Sequence, residues 1–152
     1  VYTKNNEKIQ YCMPIRKANP YRRMMKATRE HVVVPNILNR NFKQGLVGKV
    51  LLIDITYLTY SSTNRSYLST INDASTNEIL SYHLSINLIL DIAIETVKKL
   101  MKNHKKLLNK DTFIHSDQGV HYTSPRSQKF LKKYKISQSM SRQGNCWDNA
   151  PQ

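Results

Sequence analysis

Cysteine is almost absent from this chain. Cys12 and Cys146 are the only two in 152 residues, and no Cys-x-x-Cys spacing occurs. That argues against a cysteine zinc site and against a secreted disulfide framework. The pair reads as two unpaired thiols in a reducing compartment. Long apolar runs are also missing: none approaches the roughly 20 residues that span a bilayer. The opening Val1-Tyr2-Thr3-Lys4 holds no hydrophobic signal core, so a cytoplasmic location is expected. It holds no methionine either, and the chain reads as a fragment at this end. Internal repeats and low-complexity tracts are absent. Acidic residues are scarce, with 10 Asp and Glu against 24 Lys and Arg, for a net charge of +14.

That imbalance points to a polyanionic partner, and nucleic acid is the usual one. The charge is uneven. Residues 1–50 carry 11 Lys and Arg but only 2 Glu. Three of the five prolines (Pro14, Pro20 and Pro35) fall there as well. The basic stretch from Ile15 to Arg23, broken by Pro20, suits an arm or linker better than a packed element. We therefore expect residues 1–48 to form a basic arm or linker and residues 49–152 to form one globular core.

From Lys49 the pattern changes. Val50-Leu51-Leu52-Ile53-Asp54-Ile55-Thr56-Tyr57 is rich in β-branched and aliphatic residues and predicts a buried strand. Ser66 to Ile71 and Ile79 to Leu84 predict two more, joined by short polar connections, which makes an antiparallel meander. Leu90, Ile94, Val97 and Met101 recur at helical spacing, predicting a helix over 88–102. Lysines crowd its C-terminal end, where they complement the helix dipole as well as they would contact DNA. Thr112 to His115 predicts a fourth strand. Ser124-Pro125 is an N-cap followed by proline at the first helical position, opening a helix to about Tyr134. Ile136 to Met140 predicts a last strand. The order βββ-α-β-α-β is an α/β arrangement in which the later strands can be parallel.

Asp54 is the odd residue of the first strand. Burying a carboxylate among aliphatic side chains is costly unless it is paired or binds a metal. Alternation puts Leu52, Asp54 and Thr56 on one face and Leu51, Ile53 and Ile55 on the other. Asp117 follows the fourth strand, a place where α/β sheets commonly build sites. Each alone is as readily a structural residue: a strand-end hydrogen bond for Asp54, a turn for Asp117. Together they can converge if their strands are neighbours. They would then hold a hard divalent cation through oxygen ligands for phosphoryl transfer. His115 and His121 flank Asp117 and are weaker candidates as ligands or proton carriers.

The motifs resemble those of bacterial insertion-sequence transposases of the integrase-like DDE type, in the group whose second reading frame carries catalysis. Asn36 to Phe42 resembles the lead-in to that family's core. Asp54-Ile55-Thr56-Tyr57 resembles its first catalytic strand. His115-Ser116-Asp117-Gln118-Gly119, with Tyr122-Thr123-Ser124, resembles the second block. Gln138 to Cys146 and Asp148-Asn149-Ala150-Pro151 resemble the approach to the third. The resemblance implies a ribonuclease H-like fold, a mixed five-stranded sheet flanked by helices. It also implies a three-carboxylate site holding Mg²⁺ or Mn²⁺, with Asp54 and Asp117 as both catalytic residues and metal ligands. The family pattern Asp-Asn-Ala-Pro-x-Glu implies a third ligand one position past Gln152. It implies attack on a phosphodiester first by water and then by a freed DNA 3′-hydroxyl, with no covalent protein–DNA intermediate. Implied partners are transposon ends, target DNA and further copies of the full-length protein. A fragment without the Glu is expected to be inactive alone. A basic nucleic-acid-binding module and a different ribonuclease H-like nuclease stay open as alternatives.

Overall fold

The computed structural model describes residues 31–60 and 64–149. The basic stretch at 15–23, Cys12 and residues 61–63 and 150–152 lie outside the described residues.

Strand β1 (Val50–Thr59) pairs antiparallel with β2 (Arg65–Asp73), which pairs antiparallel with β3 (Ile79–Ser85). On its other side β1 pairs parallel with β4 (Phe113–Ser116), which pairs parallel with β5 (Ser137–Met140). The sheet therefore has five strands in the order β3-β2-β1-β4-β5. The expected meander and the parallel half are both present.

Helix α1 (Ile92–Asn103) joins β3 to β4; α2 (Val120–Thr123) and α3 (Pro125–Lys133) join β4 to β5. The expected helix start at Leu88 is four residues early. The Ser85 hydroxyl accepts from the Asn87 N–H and donates to the Asn87 carbonyl, closing a turn there. Leu90 consequently stays outside the helix and exposed, while Ile94, Val97 and Met101 are buried as expected. Ser124 caps α3 by accepting from the Ser127 N–H at 3.3 Å, ahead of Pro125. No helix among the described residues is long and apolar enough to cross a membrane.

The alternation of β1 sorts its side chains between two cores. Leu51 and Ile53, joined by half-buried Ile55, pack with Ala93, Val97 and Leu100 of α1 and Leu131 of α3. Val50 and Leu52 pack on the opposite face with Leu38, Ala74 and Phe113, and Phe42 closes over them. Each aliphatic side chain buried this way stabilises the fold by about 1.5–3 kcal/mol. Leu38 and Phe42 thus cover one sheet face, while Val34 packs against the other core. The C-terminal half of β1 emerges from cover: burial fades from Val50–Ile53 through Asp54 to exposed Thr56. That gradient places Asp54 at the border between core and solvent.

Candidate active site

The β1–β4 pairing is what brings the two sequence-predicted carboxylates together. The parallel register sets Val50 beside Phe113, Leu51 beside Ile114 and Leu52 beside His115. Carried two residues further, it sets Asp54 level with Asp117. Asp54 is half-buried and Asp117 exposed. Burial holds the Asp54 carboxyl above its ordinary range; a hydrogen bond with the Ile55 backbone opposes this, and the charge of Asp117 adds to it. The ion pairs among the described residues join Arg40 and Arg142 to Asp148, Lys98 to Glu95 and Arg126 to Asp91. None of them neutralises Asp54 or Asp117. Two hard carboxylates near enough to feel each other's charge, with no ion pair to either among the described residues, suit an oxygen-liganded divalent ion. They are a partial set, since no group of three or more His, Cys, Asp or Glu side chains clusters among the described residues.

Asp117 is held by its own turn. Its Oδ1 accepts the Gly119 N–H at 2.8 Å, and its carbonyl accepts the Ser116 hydroxyl at 2.9 Å. A Cβ on Gly119 would lie 2.8 Å from the same Oδ1 and 3.5 Å from the Tyr122 ring. Glycine therefore leaves room for the carboxylate, which a larger residue would have to push aside. We expect Gly119→Ala to swing Asp117 out of line with Asp54 and weaken Mn²⁺ binding about tenfold, the low end for loss of a ligand-orienting partner. The melting temperature should move little. A Mn²⁺ titration followed by electron paramagnetic resonance checks this, and an unchanged affinity would contradict it.

Tyr122 lies under the pair, almost fully buried in the larger core. Burial pushes its phenol well above the ordinary value, and the charges of Asp117 and Asp54 and the nearby Tyr57 push the same way. It is a neutral buried side chain that feels the charge of both carboxylates. His121 is buried beside it. Desolvation holds its imidazole below the usual value, against hydrogen bonding to the Leu90 backbone and the charge of Asp117.

His115 has a different role from the one its position suggested. The Ser139 hydroxyl oxygen accepts the N–H groups of Ile37 at 2.9 Å and Leu38 at 3.3 Å, so its proton is left to donate to His115 Nδ1 at 2.9 Å. Nε2–H then donates to the Asp148 carbonyl at 2.9 Å. Both ring nitrogens are engaged and neither is left for a metal. Burial lowers the His115 pKa from 6.5, opposed by the Asp148 carbonyl and carboxylate. Between the lowered folded value and 6.5 the unfolded chain binds more protons than the folded one, so stability falls as pH drops through that window. His121 acts in the same direction. Urea denaturation at neutral pH and about one unit below 6.5 should show this loss, and His115→Gln should shrink it. A pH-independent midpoint would contradict it.

Sequence reasoning missed Asp148 as a structural centre. Its fully shielded carboxylate accepts from Asn36 Nδ2, Arg40 Nε, and the Arg142 backbone N–H, Nε and Nη2, at 2.8–3.1 Å. Hydrogen bonding to Arg142 holds it far below the usual carboxylate range; burial works against this and Arg40 adds to it. Two half-exposed guanidiniums thus roof a carboxylate that ties the lead-in segment to the loop after β5. The recoverable signal was composition: an Asp in a polar loop of a chain with 24 Lys and Arg against 10 Asp and Glu.

The family model described as "Integrase core domain" matches residues 46–146. In sequence the chain is similar to a protein assigned as transposase InsK of insertion element IS150 from Escherichia coli (strain K12), 38% identical over 120 residues. That match spans 76% of this chain and 40% of the relative. It is also similar to the transposase of insertion element IS904 from Lactococcus lactis subsp. lactis (strain IL1403), 32% identical over 76% of this chain and 45% of the relative. The chain thus spans less than half the length of either. In structure it is similar to a chain of the simian T-cell lymphotropic virus intasome in complex with PP2A regulatory subunit B56 gamma, with TM-score 0.61 and 15% identity over 82% of this chain and 41% of that one. It is similar too to the HTLV-2 integrase catalytic core domain in complex with magnesium, with TM-score 0.52 and 18% identity over 62% and 61% of the two chains. At such identities the structural likeness shows the fold alone, which is the ribonuclease H-like fold expected from the motifs. The chain belongs to the integrase core domain family, and the relatives it matches in sequence include transposases of bacterial insertion sequences.

Proposed function

We propose that this chain supplies the catalytic core of an insertion-sequence transposase, with residues 49–152 as the core and residues 1–48 as a basic connection to it. Asp54 and Asp117 are its catalytic carboxylates and hold Mg²⁺ or Mn²⁺. One observation supports this reading above the others: the parallel register of β1 and β4, which carried two residues further sets the two carboxylates level, with no ion pair to either among the described residues. When bound, the metal ions activate a hydroxyl nucleophile and neutralise charge at the phosphorus. Asp54 binds from the half-buried strand and so fixes the site's position. Asp117, on its exposed turn, closes it from the solvent side. The partners are DNA, both transposon ends and target, and further copies of the full-length protein, working in the cytoplasm. The reaction is phosphodiester hydrolysis followed by transfer of the freed 3′-hydroxyl.

The third ligand of this reading is the Glu that the motif places one position beyond Gln152. A polypeptide of these 152 residues is therefore expected to bind Mn²⁺ yet give no strand-transfer product with labelled transposon ends, while one continuing through that Glu and its helix gives product. Clear product from the 152 residues alone would overturn the assignment of a third carboxylate.

A further inference from the structure

Six exposed lysines of this fold gather at the end opposite the carboxylates. Strands β1, β4 and β5 run parallel, and Asp54 and Asp117 stand at the far ends of β1 and β4. Helices α1 and α3 both run back against them, so both end at the pole where those strands begin. Contacts confirm the convergence: Asn109 Nδ2 donates to the Val47 carbonyl at 2.8 Å, the Phe113 N–H to the Lys49 carbonyl at 3.0 Å and the Ser137 N–H to the Thr112 carbonyl at 3.2 Å. Lys102, Lys105 and Lys106 project from the end of α1, and Lys132, Lys133 and Lys135 from the end of α3, all exposed. This pole lies about 13 Å of strand below Asp54.

Helix dipoles account for lysines in a last turn, such as Lys102, Lys132 and Lys133. They account less well for Lys105 and Lys106, which sit in the single 3-10 turn Lys105–Leu107 after α1, and not for Lys135, which lies past the end of α3. No ion pair among the described residues involves any of the six. Lys135 carries a second signal. It ends α3 in the left-handed conformation, at φ 57°, with its own N–H on the Lys132 carbonyl and the Ile136 N–H on the Leu131 carbonyl. That is the helix-ending motif in which glycine is the least strained residue. Here a lysine occupies the strained position and adds a cation to the cluster.

We infer that this basic pole is a second nucleic-acid surface, which grips the phosphate backbone of duplex DNA without reading sequence, away from the segment at the carboxylates. The choice of DNA over another polyanion rests on the proposed function; the surface itself rests on the lysines.

The test uses the 152-residue chain and a short labelled duplex at about 0.1 M salt. Lys105→Gln, Lys106→Gln and Lys133→Gln together should weaken binding at least about fivefold and flatten the salt dependence by about 2–3 units of log–log slope. Lys135→Gly should raise the melting temperature while weakening duplex binding, a pairing that a purely structural lysine would not give. Lysine-directed chemical labelling should show these side chains protected by saturating duplex. Unchanged labelling at all six lysines, or full affinity in the triple variant, would overturn the proposal. Binding of dextran sulfate as tight as that of duplex would overturn the choice of DNA. Mn²⁺ binding at Asp54 and Asp117 involves none of these lysines, so failure here and failure of the catalytic reading are distinguishable.

Discussion

Gly48→Ala should cost about 3–5 kcal/mol of folding stability, a large share of the roughly 5–15 kcal/mol that holds a domain together. Three effects act in the same direction. Gly48 sits at φ 74°, where an alanine carries left-handed strain of about 1–2 kcal/mol. The new Cβ would collide with the Leu107 carbonyl oxygen, which is backbone and cannot rotate aside. Any shift that relieves the clash pulls on two bonds: the Gly48 N–H donates to the buried Asp73 carboxylate, and its carbonyl accepts the Thr112 hydroxyl at 2.6 Å. Asp73 Oδ1 in turn accepts from Ser75 at 2.7 Å and organises the β2–β3 turn. The start of β1, the loop before β4 and that turn therefore loosen together. Gly45 is the internal control. It has φ 71° but nothing within 4 Å of a Cβ, so Gly45→Ala should cost only the strain of about 1–2 kcal/mol. Urea denaturation of the two variants separates the terms; equal losses would show that the Leu107 contact carries no weight.

The sequence made the strands legible because burial and alternation coincide in them. Val50 to Ile53 are apolar on both faces, and the structure has a core on each. The Ser124-Pro125 cap announced α3 to within a residue, since capping is a local interaction. Where a bond joins distant segments, the sequence was silent. The Asp148 cluster links residues more than 100 positions apart, from Asn36 and Arg40 to Asn145 and Arg142, and no spacing rule reports that. His115, a weaker candidate from its proximity to Asp117 in the chain, is taken up by long-range bonds of the same kind: its ring nitrogens are engaged by Ser139 and the Asp148 carbonyl. Asp54 and Asp117 could be matched as motifs. That they stand level depends on β1 pairing parallel with β4, which comes from tertiary packing.

Asp54→Asn should abolish divalent-ion binding and, at the same time, raise the melting temperature. The two effects share one cause. Folding takes the Asp54 carboxylate partly out of water and sets it beside Asp117, so the folded state disfavours its charge. An acid whose folded pKa is raised weakens the fold as pH climbs through the unfolded value of about 3.8 towards the folded one, and it stays unfavourable above. Asparagine has nearly the same shape without the charge and relieves that cost. It also removes the anionic oxygen that a hard cation needs. Outer-shell partners of a metal typically contribute 10–100-fold in affinity, so loss of a direct anionic ligand from a two-carboxylate set should exceed about 100-fold. In the wild-type chain, Mn²⁺ should raise the melting temperature by binding the folded state alone. It should do so less as acid protonates Asp54. In Asp54→Asn the baseline should be higher and the Mn²⁺ increment gone. Thermal melts with and without Mn²⁺, on both proteins, give all four numbers. A variant less stable than the parent would mean that Asp54 makes a structural bond stronger than its repulsion from Asp117. A retained increment would move the metal site elsewhere.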